Sequence, residues 1–144
     1  MIREGVARRL RDDPVLFAEK VLVFHATGYQ KEILRDGNRR VAVRMARQSG
    51  KSWSMGAKAL WYAVTHRDSL VLVVSPSLRQ SIIFRDKMSR HINAVPKRLR
   101  RLIFSKILRT TIYLRNGSRM SFFHAARTRL GVTRRTWSWS TKPP

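Results

Sequence analysis

Cysteine is absent from the 144 residues, which excludes a disulfide scaffold and any thiolate-ligated metal site and fits a reducing cytoplasm. Long apolar runs are absent as well, so no segment reads as a membrane span. Val15 to Phe24 is interrupted by Glu19 and Lys20, which argues against a signal peptide. The four histidines, His25, His66, His91 and His124, are scattered and show no metal-ligand spacing. Acidic residues are scarce: 8 Asp and Glu stand against 31 Lys and Arg, a formal charge of +23, and none follows Asp86. Such a balance attracts phosphate-bearing partners. It also leaves residues 87–144 without a side-chain carboxylate for metal or acid–base chemistry.

What is present is a globular composition, 43% hydrophobic, in a length suited to one domain. Residues 1–12 form a charged, flexible leader. Asp13-Pro14 starts a helix, a capping residue followed by proline at the first helical position, and Val15, Phe17, Ala18, Val21 and Leu22 form its apolar stripe. A short helix begins at Tyr29-Gln30, and Gly37-Asn38 turns the chain into a strand from Arg40 to Met45. A polar loop ending in Gly50-Lys51-Ser52 leads into a helix whose Trp53, Ala57, Leu60, Trp61 and Val64 recur at helical spacing.

Leu70 to Val74 is a continuous apolar run of the kind buried on both faces of a parallel sheet. Ser75-Pro76-Ser77 caps a further helix with the stripe Leu78, Ile82, Met88 and Ile92. Pro96 to Phe104 is a basic, helix-compatible stretch. Thr110 to Leu114, the turn Asn116-Gly117 and Arg119 to Phe123 read as a β-hairpin. Alternation of strand and helix gives an α/β class with a mostly parallel sheet flanked by helices.

Strand, polar loop, helix is the order of a phosphate-binding loop, in which backbone N–H groups and the helix dipole face an anion. In that chemistry Lys51 reaches the β- and γ-phosphates of ATP and the Ser52 hydroxyl holds Mg²⁺. Met45 stands where the usual G-x-x-x-x-G-K-[ST] pattern has its first glycine. A basic helix N-terminus without a ligand is the plainer alternative.

From about Asp13 to about Phe122 these features resemble the N-terminal ATPase domain of the large terminase subunit, the DNA-packaging motor of tailed phages. That family's loop typically reads Arg-Gln-x-Gly-Lys-Thr/Ser, and Arg47-Gln48-Ser49-Gly50-Lys51-Ser52 is similar to it. The resemblance implies a P-loop NTPase-type fold and an ATP site formed by Tyr29, Gln30 and the loop residues Arg47 to Ser52. Within it, Tyr29 and Gln30 meet adenine, Arg47 and Lys51 act on the γ-phosphate, and Ser52 ligates Mg²⁺. Ser75, Arg79 and Gln80 fall in the motif that couples nucleotide state to DNA, and Asn116-Gly117-Ser118 matches the hairpin preceding the Walker B strand. Implied partners are double-stranded DNA, the small terminase subunit, the portal and further copies in a ring, in the cytoplasm of the host cell and not at a membrane.

A working ATPase of this kind ends its Walker B strand in Asp-Glu, for Mg²⁺ and for the attacking water. With no acid after Asp86 that motif is missing, so the fold is expected to be incomplete and hydrolysis weak. No part of the family's following nuclease domain is visible. Residues 124–144 form a basic tail, including Trp137 and Trp139 alternating with serines, that fits no element type. Read one nucleotide earlier, the tail's codons can spell Asp-Leu-Val-Val-Val-Asp-Glu-Ala-Ala, much like a Walker B strand. The expectation is a partial ATPase domain over residues 13–123, with the frame slipping near Phe122 to His124. Open alternatives are a tail that grips nucleic acid through Arg and Trp, a fragment of another P-loop ATPase such as a helicase, and a non-enzymatic basic DNA-binding protein.

Overall fold

The computed structural model describes residues 4–125, and the 124–144 tail reading lies, but for its first two residues, outside them. Among the described residues, six helices and four strands follow one another: α1 (Glu4–Asp12), α2 (Pro14–Lys20), α3 (Gly28–Arg35), α4 (Lys51–Thr65), β1 (Leu70–Ser75), α5 (Leu78–Ala94), α6 (Lys97–Ile103), β2 (Phe104–Ile107), β3 (Thr111–Leu114) and β4 (Arg119–His124). The class is α/β, as the periodicities predict.

Local sequence signals account for most element starts. The Asp13 carboxylate accepts the amide of Val15 at 2.9 Å and opens α2, with Pro14 at its first position. Ser77 accepts the amide of Gln80 at 3.3 Å and opens α5. The leader stretch carries a helix, α1, whose last carbonyls at Leu10 and Arg11 accept the Trp61 indole N–H from α4 at 3.1 and 3.2 Å. That bond holds a strongly charged segment against the domain.

The centre of the packing is α4, which touches α2, α3, α5 and β1. Its buried Ala57, Leu60 and Ala63 meet a core built from Val15, Phe17 and Leu22 of the N-terminal segment, Met88 and Ile92 of α5, and Val71 and Met120 of the sheet. Small residues let the neighbours close in: a Cβ on Gly56 would lie 3.4 Å from the Met88 side chain. Lys58 crosses to α3 and donates to the carbonyls of Ile33 and Asp36, satisfying the end of that helix. Burial pushes its ammonium pKa down, partly offset by Asp36.

The sheet order is β1-β4-β3-β2. Its β1·β4 pairing is parallel, with Leu72 opposite Ser121, and β3·β4 and β2·β3 are antiparallel. The sheet is therefore mixed rather than mostly parallel, because the predicted β3–β4 hairpin is joined by β2, a strand the basic composition of its neighbourhood concealed.

Two strand expectations are corrected. The stretch from Arg40 to Met45 forms no strand. A strand exists through its ladder, and no described residue offers this segment one. Nor is β1 buried on both faces. Val71 faces the helices at 1% exposure, while Leu72 at 42%, along with Leu70, Val74 and Phe123, looks out from the uncovered face. The apolar run reflects a sheet surface that no described element covers.

Candidate phosphate-binding loop and cleft

The loop between residue 46 and α4 is shaped by two left-handed residues, Gln48 at φ 62° and Gly50 at φ 78°. Such angles are costly for most residues and free for glycine. Gly50 is also the N-cap of α4, and no side chain caps that helix. The Gly50 carbonyl accepts the amides of Trp53 and Ser54, each at 3.0 Å. The amides of Lys51 and Ser52 precede the first possible intrahelical bond, so they remain available at the positive end of the helix dipole.

The loop is braced from α3. Tyr29 donates its hydroxyl to the Ser49 carbonyl at 2.9 Å, and the Gln30 amide donates to the same oxygen at 3.2 Å. Gln30 is buried, and its amide oxygen accepts the Thr27 N–H at 2.9 Å, so it links the start of α3 to the loop. The approach is close enough that a Cβ on Gly50 would come within 2.3 Å of the Gln30 amide nitrogen. Ser49 donates its hydroxyl to the Ala46 carbonyl at 2.7 Å, which closes the turn on itself.

Behind the loop, His91 of α5 lies against the first turn of α4. Its Nε2 is 3.1 Å from the Trp53 carbonyl, and its ring packs edge-on against Trp53 and Phe24 at centroid distances of 4.3 and 5.3 Å. The ring is almost wholly buried, and desolvation lowers its pKa to about 4 despite the bond to Trp53. His91 is a neutral core residue.

In front, a cleft of about 240 Å³ is lined by Ser52, Ser75, Gln80, Ile83, Phe84 and Lys87. It joins the loop to the end of β1 and the start of α5. The structure thus brings Tyr29, Gln30, Ser49 and Gly50 into direct contact, and gathers Ser52, Ser75 and Gln80 around one cleft. Arg47, Gln48 and Lys51 are exposed on the loop, and Arg79 is exposed on α5 outside the cleft lining. Lys87 escaped the sequence reading. Its signal was available in the spacing of Gln80, Ile83, Phe84 and Lys87, one face of a helix.

The far end of α4 is finished differently. Asn116, in the turn between β3 and β4, donates its side-chain amide to the carbonyls of Ala63 at 2.8 Å and Val64 at 3.1 Å. Its side-chain oxygen accepts the Ser118 amide at 3.0 Å, and the Ser118 hydroxyl donates to the His66 carbonyl at 2.7 Å. Gly117, at φ 86°, turns the chain so tightly that a Cβ would meet the Asp68 carboxylate. The Asn-Gly-Ser sequence is the clamp on the C-terminus of the loop's own helix.

Fold and site together define an α/β protein with a left-handed loop and no side-chain cap at the head of its central helix. A family model described as "Terminase large subunit, T4likevirus-type, N-terminal" matches residues 44–136, and the chain belongs to that family. No curated protein matches it. The matched residues include the loop, the Ser75–Gln80 segment and the Asn-Gly-Ser turn, whereas Tyr29 and Gln30 precede them. The family places the chain with the packaging terminases of phages. No helix among the described residues is long and apolar enough to cross a membrane.

Proposed function

We propose that this chain is an ATP-binding domain of a phage DNA-packaging motor, with Mg²⁺–ATP held at the loop that opens α4. The carrying observation is the helix start at Gly50, where a left-handed backbone and amides without a side-chain cap stand beside the exposed Lys51, the first residue of α4. Bound ATP supplies the phosphoanhydride of the motor reaction, and Mg²⁺ screens its phosphate charge. Lys51 and Arg47 take the terminal phosphates. The Ser52 hydroxyl is a donor suited to Mg²⁺, which needs one or two protein oxygens beside phosphate and water. Tyr29 and Gln30 hold the loop in shape through Ser49, and they are the residues assigned to adenine in this reading. Ser75, Arg79 and Gln80 relay the state of the site to double-stranded DNA. The small terminase subunit, the portal and sister copies in a ring are the partners of such a motor.

Hydrolysis is the weak part of the activity. Residues 87–144 hold no carboxylate to orient the attacking water or to hold Mg²⁺ through water, so the chain binds ATP far better than it turns it over. Calorimetric titration with Mg²⁺–ATP, paired with a multiple-turnover assay, tests this. Binding without sustained turnover is expected; motor-rate turnover contradicts it. The frame-slip reading of the tail is tested on the gene, across the codons for residues 122–144. An Asp-Glu pair in the shifted frame supports it, and an early stop there ends it.

A second reading, a basic DNA-binding protein indifferent to ATP, draws on the charge pattern. All four ion pairs found among the described residues use carboxylates no later than Asp86. It predicts salt-sensitive DNA binding unaffected by Lys51→Ala.

A further inference from the structure

The cleft beside the loop contains a cation that the loop motif does not account for. Gln80, Ile83, Phe84 and Lys87 recur along one face of α5 and form its wall opposite Ser52. Lys87 is the one ionisable side chain in that lining, and it is half-buried. Its neighbour Asp86 is engaged by Arg85 at 3.0 Å, and no Asp or Glu follows it in the chain. Among the described residues, other half-buried lysines have acceptors: Lys31 pairs with Glu19 at 3.3 Å, and Lys58 donates to two carbonyls. Lys87 has none there. A half-buried lysine that lines the cleft, with no carboxylate partner among the described residues, is a ready counter-charge for an anion that enters it.

We propose that Lys87 is a second phosphate-binding cation, meeting the terminal phosphate of a bound nucleoside triphosphate from the α5 side while the loop holds it from the α4 side. This rests on the nucleotide reading above. The cleft runs from Ser52 to Ser75 and Gln80, so a phosphate bridging Lys51 and Lys87 ties α4 to α5. Departure of that phosphate releases α5 together with the Ser75–Gln80 segment at its head. The loop senses that a nucleotide is present; Lys87 senses whether it is a triphosphate.

The test compares wild type, Lys87→Gln, Lys87→Arg and Lys51→Ala for affinity toward a non-hydrolysable ATP analogue, ADP and a short DNA duplex, with thermal unfolding of each as a folding control. Lys87→Gln is expected to lose about tenfold in affinity for the triphosphate and less than about twofold for ADP. Lys87→Arg is expected to keep most of the preference, and duplex affinity to change little. Equal losses for ATP and ADP, or no loss, overturn the role of Lys87 while leaving the loop reading intact. A loss confined to the duplex overturns it too, assigning the cation to a nucleic-acid phosphate. If wild type binds neither nucleotide and Lys51→Ala is silent, the nucleotide reading itself fails, and the proposal with it.

Discussion

The two ends of α4 are built in opposite ways. At the C-terminal end, Asn116 and Ser118 reach across from the β-turn and satisfy the carbonyls of Ala63, Val64 and His66, and Thr65 returns its hydroxyl to the Trp61 carbonyl at 2.7 Å. At the N-terminal end the cap is a glycine, no side chain fills the orphan amides, and the neighbouring residues Tyr29 and Gln30 bind the loop's Ser49 carbonyl instead. Both ends of a helix carry unsatisfied groups, so leaving one end bare while clamping the other needs a reason. The contrast is between a tail secured through a hairpin 50 residues away and a head without a side-chain cap, where the proposed function puts the phosphates.

If that division is right, damage at the tail should cost stability and damage at the head should cost binding. Asn116→Ala removes the clamp from several carbonyls at once and is expected to destabilise the fold by about 3–4 kcal/mol. Denaturant unfolding measures it, and nucleotide affinity of the remaining folded fraction should be unchanged. A variant that kept its stability but lost affinity would break the comparison.

The support behind the head gives the next effect, a dependence on pH. His91 has its pKa lowered to about 4 in the folded state, against an ordinary value of 6.5. Between those values the unfolded chain binds a proton that the native chain does not, so stability rises with pH across that window. The contribution is complete above the ordinary value and is lost on acidification toward about 4. The loss is about 3 kcal/mol, taking 1.36 kcal/mol per pH unit. Unfolding curves collected through the window should show the slope, and His91→Phe should flatten it. An unchanged slope in that variant would assign the titration to another group.

Gly50→Ala addresses the head directly. The left-handed backbone and the collision with the Gln30 amide together cost about 1–2 kcal/mol or displace Gln30 from the loop. Weaker nucleotide binding should accompany either outcome, and calorimetry reads it. Tyr29→Phe is the mildest change. Losing one hydroxyl bond to Ser49 should lower nucleotide affinity by a few-fold, about 0.5–1 kcal/mol, with little shift in unfolding.

Legibility in the sequence followed the range of the interactions. The starts of α2 and α5 were readable because Asp13 and Ser77 bond to amides two and three residues away. The β3–β4 hairpin was readable for the same reason, since Gly117 supplies the turn on the spot. The segment Arg40 to Met45 was misjudged because its composition suits a strand, while being a strand depends on a partner from elsewhere. The open face of β1 was missed likewise, since Leu70, Leu72 and Val74 look the same in sequence whether or not a layer covers them.

At the site, the loop residues were legible as a motif, but their bracing was not. Gln30 finds Ser49 nineteen residues on, and Asn116 finds Ala63 fifty-three residues back. Helical spacing puts Lys87 on one face with Gln80, Ile83 and Phe84, but only the fold sets that face across a cleft from Ser52.

The central claim is that the bare head of α4 takes the phosphates of ATP. Its most direct test is the thermal stabilisation of the chain by Mg²⁺–ATP, wild type against Lys51→Ala. Ligand binding to the native state alone raises the unfolding temperature with concentration. Wild type should be stabilised progressively by Mg²⁺–ATP. Lys51→Ala should unfold at nearly the wild-type temperature without ligand, because its side chain is exposed, and need at least about tenfold more nucleotide for the same shift. Identical ligand-induced shifts in the two proteins, or none in wild type, would contradict the account.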